Sequence, residues 1–200
     1  MTLGRIRIGL WVAVGLAALV GLVIALRPAP TDAPVASSGT LIQIGGPFRL
    51  TGTAGQPFSS ERLAGKPYAL FFGFTHCPDV CPTTLARLVR LRSSLGKGDS
   101  SLAIILVTVD PERDTPQAMA RYAELFRSPV IALTGSIAAI ERIKKQFGVY
   151  SAKVPQEGDD YSIDHTASVF LIDRTGKFVA TISPGEADPA ARAKLARLSS

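Results

Sequence analysis

Residues 74–82 read FTHCPDVCP and hold both cysteines of the 200-residue chain, Cys77 and Cys81, four positions apart and each followed by proline. His76 stands beside the first, and the other histidine, His165, lies far downstream. Such a pair can be a disulfide staple, a redox couple, part of a metal site or two core residues. A staple explains little. A loop closed over so few residues restricts the unfolded chain only slightly, and a chain of this length buries a core without one. Two soft thiolates select Cu(I) or Zn. Structural zinc takes four protein ligands, and catalytic zinc takes three and a water. His76 neighbours Cys77 on near-extended chain and points the other way, which leaves His165 as the candidate third ligand. Two sulfurs and one imidazole form a trigonal set that suits copper and leaves one side open for transfer.

Bringing these residues together is the task of the flanking elements. PYALFFGFT (67–75) is a dense apolar run bounded by turn formers, the pattern of a buried central strand. PTTLARLVRLRSSLG (82–96) has helical apolar spacing, with Pro82 suited to the first helical position and Gly96 to the end. Cys81 then falls at the N-cap, where open backbone N–H groups and the helix dipole favour a thiolate. SLAIILVTVD (101–110) is a second buried strand, and DTPQAMARYAELF (114–126) is a helix opened by a capping Asp or Thr. PVIALTG (129–135) is a strand, and SIAAIERIKKQFG (136–148) is a helix ending at Gly148. ASVFLID (167–173) and KFVATIS (177–183) pair as a hairpin across RTG, and ADPAARAKLARL (187–198) closes the chain as a helix.

Before the central strand, LIQIGGPFRLTGT (41–53) reads as a hairpin around Gly45 and Gly46, with FSSERLAGK (58–66) as a connecting turn. Residues 149–164, VYSAKVPQEGDDYSID, read as a long polar connection too irregular for a core element; connections of that length are often functional. Strands alternating with helices require crossovers and a sheet covered on both faces. The expectation is an α/β, thioredoxin-like fold with a central mixed sheet and an N-terminal β-hairpin extension. The cysteine loop sits at the carboxyl end of a central strand, where open α/β sheets bind ligands, and the loop bearing His165 faces it.

The N-terminus predicts an anchor. Residues 8–26, IGLWVAVGLAALVGLVIAL, carry no charge, and a helix of that length spans about 28 Å, close to the bilayer core. Arg5 and Arg7 precede it, which keeps residues 1–7 in the cytoplasm and sends the rest of the chain out. The run is longer than a signal-peptide core and lacks a good cleavage site after it. Residues 27–40, RPAPTDAPVASSGT, form a Pro/Ala/Ser tether, and residues 41–200 form the thioredoxin-like domain. The expected location is the bacterial inner membrane, single pass, with the domain in the periplasm. The net charge of +6 is mild and interspersed; without a basic run or aromatic interleaving it predicts no nucleic-acid partner.

FTHCPDVCP, VTVDPERDTP and YSIDHTASVFLIDRTGKF together resemble the Sco/SenC family over residues 45–197. The resemblance implies thioredoxin-fold copper proteins that help assemble the binuclear copper centre of cytochrome c oxidase subunit II. It implies Cys77, Cys81 and His165 as ligands of copper, as Cu(I) or also Cu(II), and a copper acceptor such as subunit II as partner. It assigns no ligand role to His76. Asp164 is a candidate to orient His165 or tune its charge, against a solvated loop carboxylate. Asp79 is a candidate to act on docking or thiol ionisation, against a turn former. Asp110 reads as a turn starter and helix cap, and Tyr161 and Phe72 as packing.

Two functions remain open on the sequence. One is a metallochaperone, not an enzyme, that passes copper by ligand exchange. The other is a thiol-disulfide oxidoreductase in which Cys77 attacks an acceptor disulfide and Cys81 resolves the mixed intermediate. A peroxidase lacks its Thr-x-x-Cys arrangement here.

Overall fold

The computed structural model describes residues 44–158 and 160–199, with positions 11, 15, 16, 19 and 22 of the N-terminal segment. The predicted membrane span and tether lie outside the described residues apart from those five positions. Among the described residues no helix is long and apolar enough to cross a membrane. The chain divides into two compact units, Met1–Leu41 and Ile42–Ser200, and the second holds every element that follows.

The strands are β1 (Arg49–Gly52), β2 (Pro57–Ser59), β3 (Tyr68–Gly73), β4 (Ala103–Thr108), β5 (Ile131–Thr134), β6 (Ser151–Pro155), β7 (Tyr161–His165), β8 (Val169–Ile172) and β9 (Phe178–Ile182). The helices are α1 (Val80–Ser94), α2 (Pro116–Glu124), α3 (Ile137–Phe147) and α4 (Asp188–Leu198). Seven strands form one mixed sheet in the order β2-β1-β5-β4-β3-β8-β9. β3 lies parallel to β4 and antiparallel to β8, and β4 lies parallel to β5. All six residues of β3 are buried. Successive side chains point to opposite faces, so both faces of the sheet are covered at its centre, as the apolar run required.

The two parallel steps, β3 to β4 and β4 to β5, are made by α1 and α2, and the sequence marks the starts of α2 and α3. Thr115 caps α2 by accepting from the Ala118 N–H at 3.2 Å, and Ser136 caps α3 by accepting from the Ala139 N–H at 3.3 Å. Gly148 ends α3 in the left-handed region, φ 65°, a conformation costly for any residue with a Cβ. α1 packs against α4. Arg87 and Arg90 each reach Asp188 of α4 at 2.7 Å.

Two expectations need correction. The N-terminal hairpin is not folded around Gly45 and Gly46. β1 pairs with β2, and the chain reverses through residues 53–56, where the Gly52 N–H donates to the Gln56 carbonyl at 2.8 Å. Gly45 instead docks the incoming chain on α3, donating its N–H to the Gln146 carbonyl at 2.8 Å. The stretch 149–164 is not irregular. It folds into a two-stranded antiparallel ribbon, β6-β7, that pairs with no strand of the main sheet.

Candidate functional site

The cysteine loop leaves the buried end of β3 and turns into α1. Its start is pinned from below. Asp114, fully buried, accepts from the Thr75 N–H at 3.1 Å and the Thr75 hydroxyl at 2.6 Å, and from the Thr108 hydroxyl at 2.6 Å. Burial pushes the Asp114 carboxyl up, and these donors pull it back down. Asp114 therefore holds the loop instead of capping α2, a task that falls to Thr115.

Cys81 is completely buried, whereas Cys77 is partly exposed. Cys81 does not stand at the N-cap as the sequence suggested. Asp79 holds that place, without a side-chain cap bond, and Cys81 is the second residue of the helix. The consequence is that the helix start serves the other sulfur: the Cys81 N–H, one of the open donors of the first turn, points at Cys77 Sγ at 3.4 Å. For Cys81 itself, burial pushes the thiol well above the ordinary range, with the Phe74 hydrogen bond working against it and Cys77 adding to it. Room for this sulfur comes from Gly73. A Cβ there would lie 2.9 Å from Cys81 Sγ and 2.9 Å from Phe71 Cε1.

His165 closes the third side. It is the last residue of β7, and its Nε2 lies 3.6 Å from Cys81 Sγ. Its Nδ1 lies 3.0 Å from the Thr166 carbonyl. A carbonyl only accepts, so Nδ1 carries the hydrogen and Nε2 turns its lone pair toward the sulfur. Phe71 and Phe74 stand edge-on to the imidazole with centroids at 6.0 and 5.9 Å. Burial pushes the His165 pKa down, and the Thr166 bond and Asp164 charge pull it up. A neutral, lone-pair-bearing ring is the form that ligates a metal.

The three predicted ligand positions thus meet as two linked contacts, Cys77 to Cys81 and Cys81 to His165. Among the described residues no group of three or more His, Cys, Asp or Glu side chains is closed round one point ready to hold an ion. Asp164 is exposed and pairs with Ala152 across the ribbon; the ring is oriented by the Thr166 carbonyl. Asp79 is exposed, its carbonyl accepting from the Thr83 hydroxyl. His76 faces outward, with Nδ1 3.1 Å from the Thr75 hydroxyl. Asp110 is buried and bonded to Arg113 and, at 2.9 Å, to the Tyr161 hydroxyl. These partnerships, with Gly73 and Asp114, escaped the sequence reading. Only the motif VTVDPERDTP hinted at them.

A mixed sheet with a cysteine loop between its central strand and the following helix defines a thioredoxin-like protein. The chain belongs within that class to the SCO1/SenC family, whose family model matches residues 37–200. An SCO2-like protein of Rickettsia prowazekii is 38% identical over 140 residues, 69% of this chain and 68% of the relative. ScoI of Bradyrhizobium japonicum, solved with copper bound, is 42% identical with a TM-score of 0.70, over 78% of this chain and 99% of that one. BsSco, a member of the Sco family of cytochrome c oxidase assembly proteins in which a disulfide switch has been identified, is 27% identical with a TM-score of 0.62, over 79% of this chain and 95% of that one.

Proposed function

We propose that this chain is a copper-binding protein of cytochrome c oxidase assembly. It takes copper through Cys77, Cys81 and His165 and hands it to the binuclear copper site of oxidase subunit II. Residues 8–26 hold it in the inner membrane, with the domain on the periplasmic side. The observation that carries the reading is the 3.6 Å approach of His165 Nε2 to Cys81 Sγ, with Cys77 Sγ joined to the same residue through its N–H. Two sulfurs and a neutral imidazole nitrogen are soft to borderline donors that fit Cu(I). The copper-bound relative from Bradyrhizobium supports the cargo, and the description of BsSco supports the process.

The residues divide the work. Cys81 and His165 form the inner wall, screened by Phe71 and Phe74. Cys77 lies at the open side, where a donor from an acceptor protein reaches the ion and the three ligands are exchanged one at a time. The test is a Cu(I) titration of the reduced full chain in detergent against a competing chelator. One copper per chain is expected, with tight binding lost in Cys77→Ser and Cys81→Ser.

One observation favours a second reading, the asymmetry of an accessible Cys77 backed by a buried Cys81. Cys77 thiolate attacks an acceptor disulfide and releases one acceptor thiolate. Cys81 then displaces the other, and two electrons pass to the acceptor as the Cys77–Cys81 disulfide forms. If the reduced chain takes no copper in the titration yet reduces disulfides, this reading replaces the first.

A further inference from the structure

The cysteine loop and the histidine strand are joined beneath the site by a continuous chain of hydrogen bonds. It begins at Thr75, two residues before Cys77, and passes to Asp114, which also accepts from Thr108. The Thr108 oxygen in turn accepts from the Asp110 N–H at 2.8 Å. The Asp110 carboxylate receives the Tyr161 hydroxyl at 2.9 Å and the Arg113 Nε. Arg113 completes the ring: its Nη1 donates to the Tyr161 carbonyl at 2.9 Å and to Asp160 at 3.0 Å, and its guanidinium carbon lies 3.7 Å over the Tyr161 ring. The two carboxylates at the middle of the chain, Asp110 and Asp114, are almost wholly buried. Buried carboxylates hold their donors in fixed geometry, because a lost partner leaves a charge with no water to replace it.

The ribbon β6-β7 needs such an attachment because it shares no ladder with the main sheet. Tyr161 opens β7 and His165 ends it, so whatever fixes the first fixes the line along which the second is presented. We propose that Tyr161 and Arg113 are positioning residues that set the reach of His165 toward Cys81 by latching β7 to the loop after β4. Neither touches the cysteines or the imidazole; Tyr161 acts through the strand, and Arg113 acts through the strand and through Phe74, over whose ring its guanidinium lies at 5.9 Å and which stands edge-on to His165. The inference rests on the copper-binding reading for its effect on affinity, and on geometry alone for its effect on the ring.

The test uses the full chain in detergent. Tyr161→Phe removes one oxygen, and Arg113→Lys keeps the charge but not the planar fork. Two quantities are read: Cu(I) affinity by chelator competition, and the imidazole resonances of His165 without copper. Tyr161→Phe is expected to move or broaden the His165 resonances and to weaken Cu(I) about tenfold, the low end of what loss of a ligand's supporting contact costs. Arg113→Lys is expected to do the same. In a His165→Ala background, Tyr161→Phe is expected to change affinity no further, because its route to the metal is gone. Unmoved His165 resonances overturn the proposal, as does an affinity loss that persists without His165. If wild type takes no copper, the copper reading fails while the resonances still judge the latch. If Arg113→Lys does not fold, the milder Tyr161→Phe decides.

Discussion

The sulfur of Cys81 and the Nε2 of His165 lie 3.6 Å apart, although 84 positions of sequence separate them. The thiol is fixed by a helix start and the imidazole by the end of an outlying ribbon, so the two can be perturbed independently. Replacing His165 with Ala leaves both cysteines and their helix in place. Cu(I) affinity is expected to fall by more than the about 10- to 100-fold that loss of a ligand's supporting partner costs. The rate at which the reduced pair reacts with a small disulfide is expected to stay within a few-fold of wild type. Chelator competition and a thiol-exchange assay on the same preparation check both.

The cysteines should differ in reactivity. Cys77 is partly exposed and Cys81 fully buried with its thiol pushed upward, and the thiolate is the reacting form. Brief alkylation of the folded, reduced protein at mildly alkaline pH is expected to label Cys77 and spare Cys81, with both labelled after denaturation. Peptide mass spectrometry reads the outcome. Equal labelling of the folded protein contradicts the burial described.

Gly73→Ala places a methyl group where Cys81 Sγ and Phe71 already stand, 2.9 Å from each. Neither is the free end of a flexible surface chain, so the core must shift. A loss of about 1–3 kcal/mol is expected, as for other overpacked cores, measurable as a lower denaturant midpoint. On the proposed copper reading, Cu(I) affinity in the chelator competition should fall as well, because the sulfur itself is displaced.

Acid should loosen the seam between α1 and α4. Arg87 first, then Arg90, hold the Asp188 carboxyl below its ordinary value of 3.8. A carboxyl depressed on folding stabilises the protein above its unfolded pKa, and that contribution disappears as pH falls through the folded value. Wild type should therefore exceed Asp188→Asn in stability at neutral pH, with the gap closing below pH 3.8. Chemical denaturation of both proteins across that range measures it. Because Asp188 is only half-buried, the gap should also shrink in high salt.

The central sheet was legible because its strands are apolar on both faces. Tyr68–Gly73 and Ala103–Thr108 appear in the sequence as unbroken hydrophobic runs. The ribbon was not legible, since among the residues of its two strands only Ile163 is buried, and the alternation of Ala152 and Val154, and of Tyr161 and Ile163, with polar neighbours is too short to stand out. Gly45 and Gly46 carried a turn signal, but their positive φ values serve docking on α3 instead of a hairpin. The cysteines and His165 stood out by residue type. Their supports did not: Asp114 finds Thr75 across 39 positions, and the group that orients His165 is the Thr166 carbonyl, a backbone group that every residue possesses. Proline after Cys81 suggested that the helix began there, whereas Asp79 precedes the first turn.

The ribbon's independence from the seven-stranded sheet has a bearing on how a cargo is surrendered. A carrier must grip and then let go, and a grip made wholly of core would release only by unfolding. In the proposed site one of three fingers belongs to a separate arm. In the proposed delivery, an acceptor that draws the arm aside breaks no ladder of the main sheet and has only side-chain bonds to undo, chiefly those of Tyr161 and Arg113.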